Sequence, residues 1–225
     1  MADSDSGGIG APIADVVSPR PVLRREERFE GKVFGVATEE VDLGGVTVTR
    51  DVQEHPGSVA VVPYREPGEV LMIRQYRHAV RAELWEPPAG LLDLDDEAPL
   101  DAAKRELREE TDHEAATWHV LADVYSSPGA SSEAVRMYLA RDLAPVPEHE
   151  RHEREAEERD MELLWVPVET IVEAVSAGRL SSPTAVIGVL AVEAARTRGW
   201  STLRPADAPW VWWASRTRRP PSPSA

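Results

Sequence analysis

Cysteine is absent from this chain, which excludes disulfides and thiolate metal sites and suits a reducing compartment. Basic residues are scarce: 25 Lys and Arg face 40 Asp and Glu, a formal net charge of -15. So acidic a surface repels nucleic acid and anionic membranes, and neither is an expected partner. No apolar run reaches the ~20 residues of a membrane helix. The opening stretch, Met1 to Gly8, lacks the basic and apolar regions of a secretory signal. The cytoplasm is the expected location. Phenylalanine occurs only twice, yet seven tryptophans and a hydrophobic content of 42% suffice for a core. A length of 225 residues allows one sizeable domain with small appendages.

The densest chemistry lies between Gly90 and His113, where a glycine loop feeds a helix carrying Arg105, Glu106, Glu109 and Glu110. Residues at i, i+3 and i+4 share one helical face, so the three carboxylates converge. Like charges held together call for a cation. Mg2+, a hard ion that prefers oxygen ligands, is the expected one, with Mn2+ as the alternative. Arg105 stands four residues before Glu109 and can pair with and orient it. Leu100, Ala103 and Leu107 form the core stripe of the same helix. Pro99 suits its first turn, and Asp96, Glu97 and Asp101 favour the positive end of its dipole. The competing reading is a solvated acidic face.

The flanking pattern is that of a mixed α/β (α+β) domain. Residues 32–36 and 40–43 read as strands, and Gly44-Gly45 separates them from a further strand at 46–49, a hairpin signal. Ser58 to Tyr64 and Glu69 to Gln75 read as core strands, joined by the turn Arg65 to Gly68. Strands are expected at 118–125, 134–140 and 161–167, then helices at 168–177 and 182–197. Residues 1–20 read as a disordered tail, 21–57 as an N-terminal β region, 58–205 as the main domain and 206–225 as a C-terminal tail.

The Gly90 to His113 segment resembles the Nudix box: Gly, five residues, Glu, seven residues, then Arg-Glu-apolar-x-Glu-Glu-x-Gly-apolar. Six residues separate Gly90 from Glu97, and Asp96 fills the strict position. The seven-residue gap from Glu97 to Arg105 holds, which favours Glu97 and a one-residue loop insertion. Asp112 and His113 stand where the box has Gly and an apolar residue. Asp tolerates a left-handed backbone better than most, so the helix can still end there. Further features resemble the bacterial ADP-ribose pyrophosphatases, particularly the actinobacterial type. These are Gln75-Tyr76-Arg77 before Trp85-Glu86-Pro87-Pro88-Ala89-Gly90, Pro128 fifteen residues beyond His113, and the segment from Ser182 to Pro205.

The resemblance implies a helix–sheet–helix sandwich with a mixed sheet and a small N-terminal antiparallel β region. It implies Mg2+-dependent hydrolysis of ADP-ribose to AMP and ribose 5-phosphate. Glu106 and Glu110 would be the main metal ligands, Glu109 a further ligand or catalytic neighbour, Arg105 its orienting partner, and the Ala89 carbonyl a completing ligand. A catalytic glutamate is implied in the acidic segment before Asp160-Met161, where Glu158 fits ahead of Glu157. Substrate contacts are implied at Arg50, Arg77, Glu86 and Pro128, and Phe34 is a candidate for stacking on adenine. The N-terminal strands would cross to a second subunit, giving a homodimer. The alternatives are another nucleoside diphosphate sugar or dinucleotide as substrate, or a non-catalytic nucleotide sensor.

Overall fold

Strand β4 (Ser58–Arg65) is apolar on both faces, the pattern of a strand covered above and below. In the computed structural model, which describes residues 13–153 and 161–215, β4 lies inside an eight-stranded mixed sheet. Its companions are β5 (Glu69–Arg77), β6 (Ala82–Glu86), β7 (Ala89–Leu91), β8 (His113–Tyr125), β9 (Ala134–Pro145), β10 (Glu162–Pro167) and β11 (Arg204–Pro205). The main path runs β10-β5-β4-β9-β8-β11, with β6 on β5 and β7 on β4. Strands β4 and β9 are parallel, and the other pairings in this sheet are antiparallel.

Alternation along the strands divides the interior in two. Val59 and Val61 of β4, with Tyr138 and Ala140 of β9, join Ala102, Ala103 and Leu107 of α1 (Pro99–Thr111). Val62, Tyr64 and Leu139 point the other way. They join Val168 and Ile171 of α2 (Val168–Ser176) and Ala185, Val189 and Val192 of α3 (Pro183–Arg196). The architecture is the expected helix–sheet–helix sandwich. Full burial of one such Val or Leu side chain is worth about 1.5–3 kcal/mol. Helix α3 buries one face and leaves Leu190 in solvent.

The N-terminal β region is an antiparallel meander of β1 (Val22–Glu30), β2 (Gly35–Asp42) and β3 (Thr47–Glu54). The hairpin turn forms at Gly44 and Gly45, both with positive φ and both donating their N–H to Asp42 Oδ1. The stretches expected as two strands before it are one, β2. Its Ala-Thr-Glu middle has modest strand propensity, but β1 and β3 pair with it on both sides and override that preference. The meander joins the main domain at its last strand. Gln53 N–H donates to the Ala130 carbonyl at 2.8 Å, Ser132 N–H to the Gln53 carbonyl at 2.9 Å, and His55 N–H to Ser132 Oγ at 3.0 Å.

Residues 206–215, expected as part of a tail, fold back on the α1 side of the sheet. Trp210 is only 8% exposed and joins the cluster that contains Leu107. The short helix α4 (Val211–Ser215) follows it. No helix among the described residues is long and apolar enough to cross a membrane.

Candidate active site

The loop before α1 is set by β7, which pairs with the start of β4: Ala60 opposite Ala89, Val59 opposite Gly90, Ser58 opposite Leu91. Gly90 is dictated by contact. A Cβ there would lie 1.9 Å from Glu106 Oε1 and 2.0 Å from its carboxyl carbon, so any side chain there displaces the Glu106 carboxylate. Glu110, 5% exposed, accepts the Ala89 N–H on Oε2 at 2.9 Å. Two glutamates of one helical face thus grip the Ala89-Gly90 backbone.

Arg105 organises the rest. Its Nε and Nη2 bond both oxygens of Glu97 at 2.9 and 3.0 Å, and its Nη1 reaches Glu106 at 2.6 Å and Glu109 at 3.1 Å. The hydrogen bonds to Glu97, then the charge of Glu106 and the hydrogen bonds to Glu106 and Glu109, hold the guanidinium proton above the ordinary arginine range, against the opposing effect of burial. Glu97 fills the box position as the seven-residue gap implies. Asp96 is exposed and absorbs the extra residue with a left-handed backbone, φ 65. Helix α1 ends at Asp112, also left-handed (φ 55, ψ 34), whose N–H returns to the Arg108 carbonyl. Aspartate performs the stop that glycine performs in the box.

The donor set fits a divalent hard cation: side-chain oxygens of Glu106, Glu109 and Glu110 on one helical face, with the Ala89 backbone against them. In this arrangement Glu106 and Glu109 gather on Arg105, while Glu110 holds the Ala89 N–H. Among the described residues no three acidic or histidine side chains converge on a common point as a ready cage. Arg77, at the end of β5, is paired with Glu86 of β6 at 2.8 Å, and Glu86 is 6% exposed.

The model of the NUDIX domain matches residues 54–183, a span that contains the box, Arg77 and Glu86. The chain belongs to the Nudix family. Over 190 residues it is 43% identical to an ADP-ribose pyrophosphatase of Mycobacterium tuberculosis, covering 84% of this chain and 90% of that protein. An ADP-ribose pyrophosphatase of Bacillus subtilis is 34% identical over 155 residues, 68% of this chain and 81% of the other. A solved structure described as an ADP compounds hydrolase superposes with a TM-score of 0.67 at 20% identity. It covers 83% of this chain and all of the other, and that likeness concerns the fold. Nudix hydrolases use divalent metal ions, in keeping with the carboxylates of α1.

The remaining described residues singled out in the sequence lie in three places. Arg77 and Glu86 are brought together, as a pair. Arg50 and Phe34 lie on the N-terminal meander, Arg50 exposed on β3 and bonded to its neighbour's carbonyl, Phe34 half-exposed beside Phe29. Pro128 is exposed in the 126–132 loop, which is the loop bound by Gln53 at the end of β3. Glu158 lies outside the described residues. Glu97 also clamps Arg105, a role that the sequence signals only through the seven-residue gap between them. A cavity of about 360 Å³ opens at the opposite end of the sheet, lined by Tyr64, Arg65, His113, Arg141 and Trp165, and includes none of the Nudix glutamates.

Proposed function

We propose that this Nudix protein hydrolyses the pyrophosphate bond of ADP-ribose to AMP and ribose 5-phosphate, with Mg2+ as its ion. The observation that carries the reading is the grip of Glu106 and Glu110 on the Ala89-Gly90 loop. The identity of 43% to a relative named for this activity supports the choice of substrate.

Glu106 and Glu110 would hold the ion, with Glu109 beside them and the Ala89 carbonyl completing the set. An ion held there would supply charge neutralisation for the diphosphate and acidity for a bound water. Arg105, anchored by Glu97, orients Glu106 and Glu109. Arg77 contacts the substrate phosphates through a fork suited to their geometry, while Glu86 fixes its position. Glu158 accepts the proton of the attacking water, since the box glutamates are engaged elsewhere.

The N-terminal meander exchanges between two copies in a homodimer, and Arg50 and Phe34 reach the site through it. Val22, Leu23, Phe29 and Val46 are exposed on a meander whose single fully buried hydrophobic residue is Ala37, so its apolar surface is better covered by a second copy. The working compartment is the cytoplasm, in keeping with the absence of cysteine.

Purified protein with Mg2+ is to be assayed against ADP-ribose, other nucleoside diphosphate sugars and dinucleotides, with Glu110→Gln as control. ADP-ribose is expected to give the highest kcat/KM. A higher value on another compound replaces the substrate, and tight binding without hydrolysis of any compound replaces the enzyme by a sensor. Glu158→Gln is expected to lower kcat far more than it raises KM; near-normal turnover removes Glu158 from the mechanism. Sedimentation at micromolar concentration is expected to show a dimer, and a fully active monomer defeats the exchange.

A further inference from the structure

The C-terminal segment is held by dedicated contacts. Arg136, 3% exposed, donates from Nη1 to the Ala208 carbonyl at 2.7 Å and from Nη2 to the Pro209 carbonyl at 3.2 Å. Its guanidinium also lies over the Trp210 ring, 4.9 Å from the centroid, and pairs with Asp123 at 2.7 Å. Asp123 in turn receives Arg204 at 2.8 Å. Trp210 stacks on Trp213 with planes only 6° apart and meets Trp212 at 5.0 Å.

Trp212 reaches the site through a glycine. Gly57 has φ +87, and a Cβ on it would lie 2.3 Å from the outer edge of the Trp212 ring. The Gly57 carbonyl accepts the Leu92 N–H at 3.0 Å. The next residues, Ser58 and Val59, pair with Leu91 and Gly90, and Gly90 touches Glu106. A short chain of contacts therefore runs from the indole through Gly57 and the β4–β7 pairing to the carboxylate of the box helix.

We propose that the tryptophan strap, through Trp212 on Gly57, is a positioning element that sets the Ala89-Gly90 loop for cation binding by Glu106 and Glu110. The inference rests on the reading that these glutamates hold a divalent ion. Metal sites keep their geometry only when supporting residues fix the ligands to about 0.5 Å. The strap supplies that support from a segment that contributes no ligand. Trp212 is a positioning residue and touches neither ion nor substrate.

The test titrates full-length protein with Mn2+ in the absence of nucleotide, following the paramagnetic resonance of the free ion well below each variant's unfolding midpoint. Trp212→Ala is expected to weaken Mn2+ binding by roughly 10-fold or more, the usual effect of losing support around a metal site. Trp212→Phe is expected to recover most of it. Trp200→Ala removes a ring packed edge-on against Tyr64 in the other core, 5.0 Å between centroids. It is expected to lower the unfolding midpoint without moving Mn2+ affinity. Should Trp212→Ala fail to fold, Trp212→Leu carries the comparison. Unchanged Mn2+ affinity in the folded Trp212 variant overturns the strap's role. Absence of Mn2+ binding in the unaltered protein overturns the metal reading beneath it, a result distinct from the first.

Discussion

Arg105 and Glu97 form a two-pronged ion pair, Nε to Oε1 and Nη2 to Oε2, which leaves the third nitrogen to bridge Glu106 and Glu109. Glu97 sits in the loop before the helix and Arg105 in the middle of it, so the pair ties the loop to the acidic face. Glu97→Gln keeps one acceptor and loses the charge. It is expected to cost about 1–3 kcal/mol of stability, the scale of a hydrogen bond to a charged group. A urea titration measures that loss, and a parallel assay is expected to show kcat falling as Arg105 loses its anchor.

Gly90→Ala tests the contact with Glu106. The new Cβ collides with the carboxylate, so Glu106 must turn away from the loop. Overpacking of this kind costs typically 1–3 kcal/mol. Activity is expected to fall much further than stability, and a variant that keeps full kcat and its unfolding midpoint contradicts the packing described.

Asp112→Gly tests the helix stop. Asp112 adopts φ 55, a backbone open to glycine without penalty. The substitution restores the residue usual in the Nudix box and is expected to leave activity near its original level and to raise stability by up to about 1 kcal/mol. A large loss of turnover assigns the Asp112 side chain a role beyond ending the helix.

Glu110→Gln separates charge from geometry. Glutamine can still accept the Ala89 N–H, so the fold is expected to persist. Loss of this proposed metal ligand is expected to remove several kcal/mol of transition-state stabilisation, roughly 100-fold or more in kcat. Circular dichroism and steady-state kinetics on the same preparation check both halves.

His55 gives a pH signature. Burial pushes its imidazole below the ordinary range, and the Glu133 carboxylate at 3.9 Å only partly opposes this. Its Nδ1 accepts the Gly57 N–H at 3.1 Å, which requires the neutral ring. The folded state therefore binds fewer protons than the unfolded one just below the unfolded value of about 6.5. The stability contribution is complete above that value and is lost as pH falls through it towards the lower folded value. His55→Asn, whose amide oxygen can still accept that N–H, is expected to show a shallower loss of urea midpoint between neutral and mildly acid pH.

Much of the sandwich was legible in the sequence, because β4, β5, α1, α2 and α3 each carry a long run or stripe that burial explains locally. The helix stop at Asp112 and the insertion at Asp96 were legible too, since both follow from spacing and from the backbone tolerance of aspartate. The short strands β6, β7 and β11 were not. Ala82–Glu86 and Ala89–Leu91 carry no run long enough to announce a strand, and their pairing is decided by β5 and β4, not by local propensity. The strap was hidden for the same reason: a Pro, Ser and Arg-rich stretch resembles a tail, and its anchor, Arg136, lies 72 residues from Ala208. The distribution of the glutamates around Arg105 was only half visible, because the i, i+4 rule gives Glu109 but not the reach to Glu97 across a loop.

The meander borrows its order from the rest of the chain. With Ala37 its single fully buried hydrophobic residue, its link to the main domain runs through backbone bonds at Gln53 and Ser132. Cooperative unfolding of the sandwich therefore does not have to include it. In a lone copy the front end of the molecule is severable: its amides are expected to open to solvent exchange first, with the box helix, its clamp and its strap still standing.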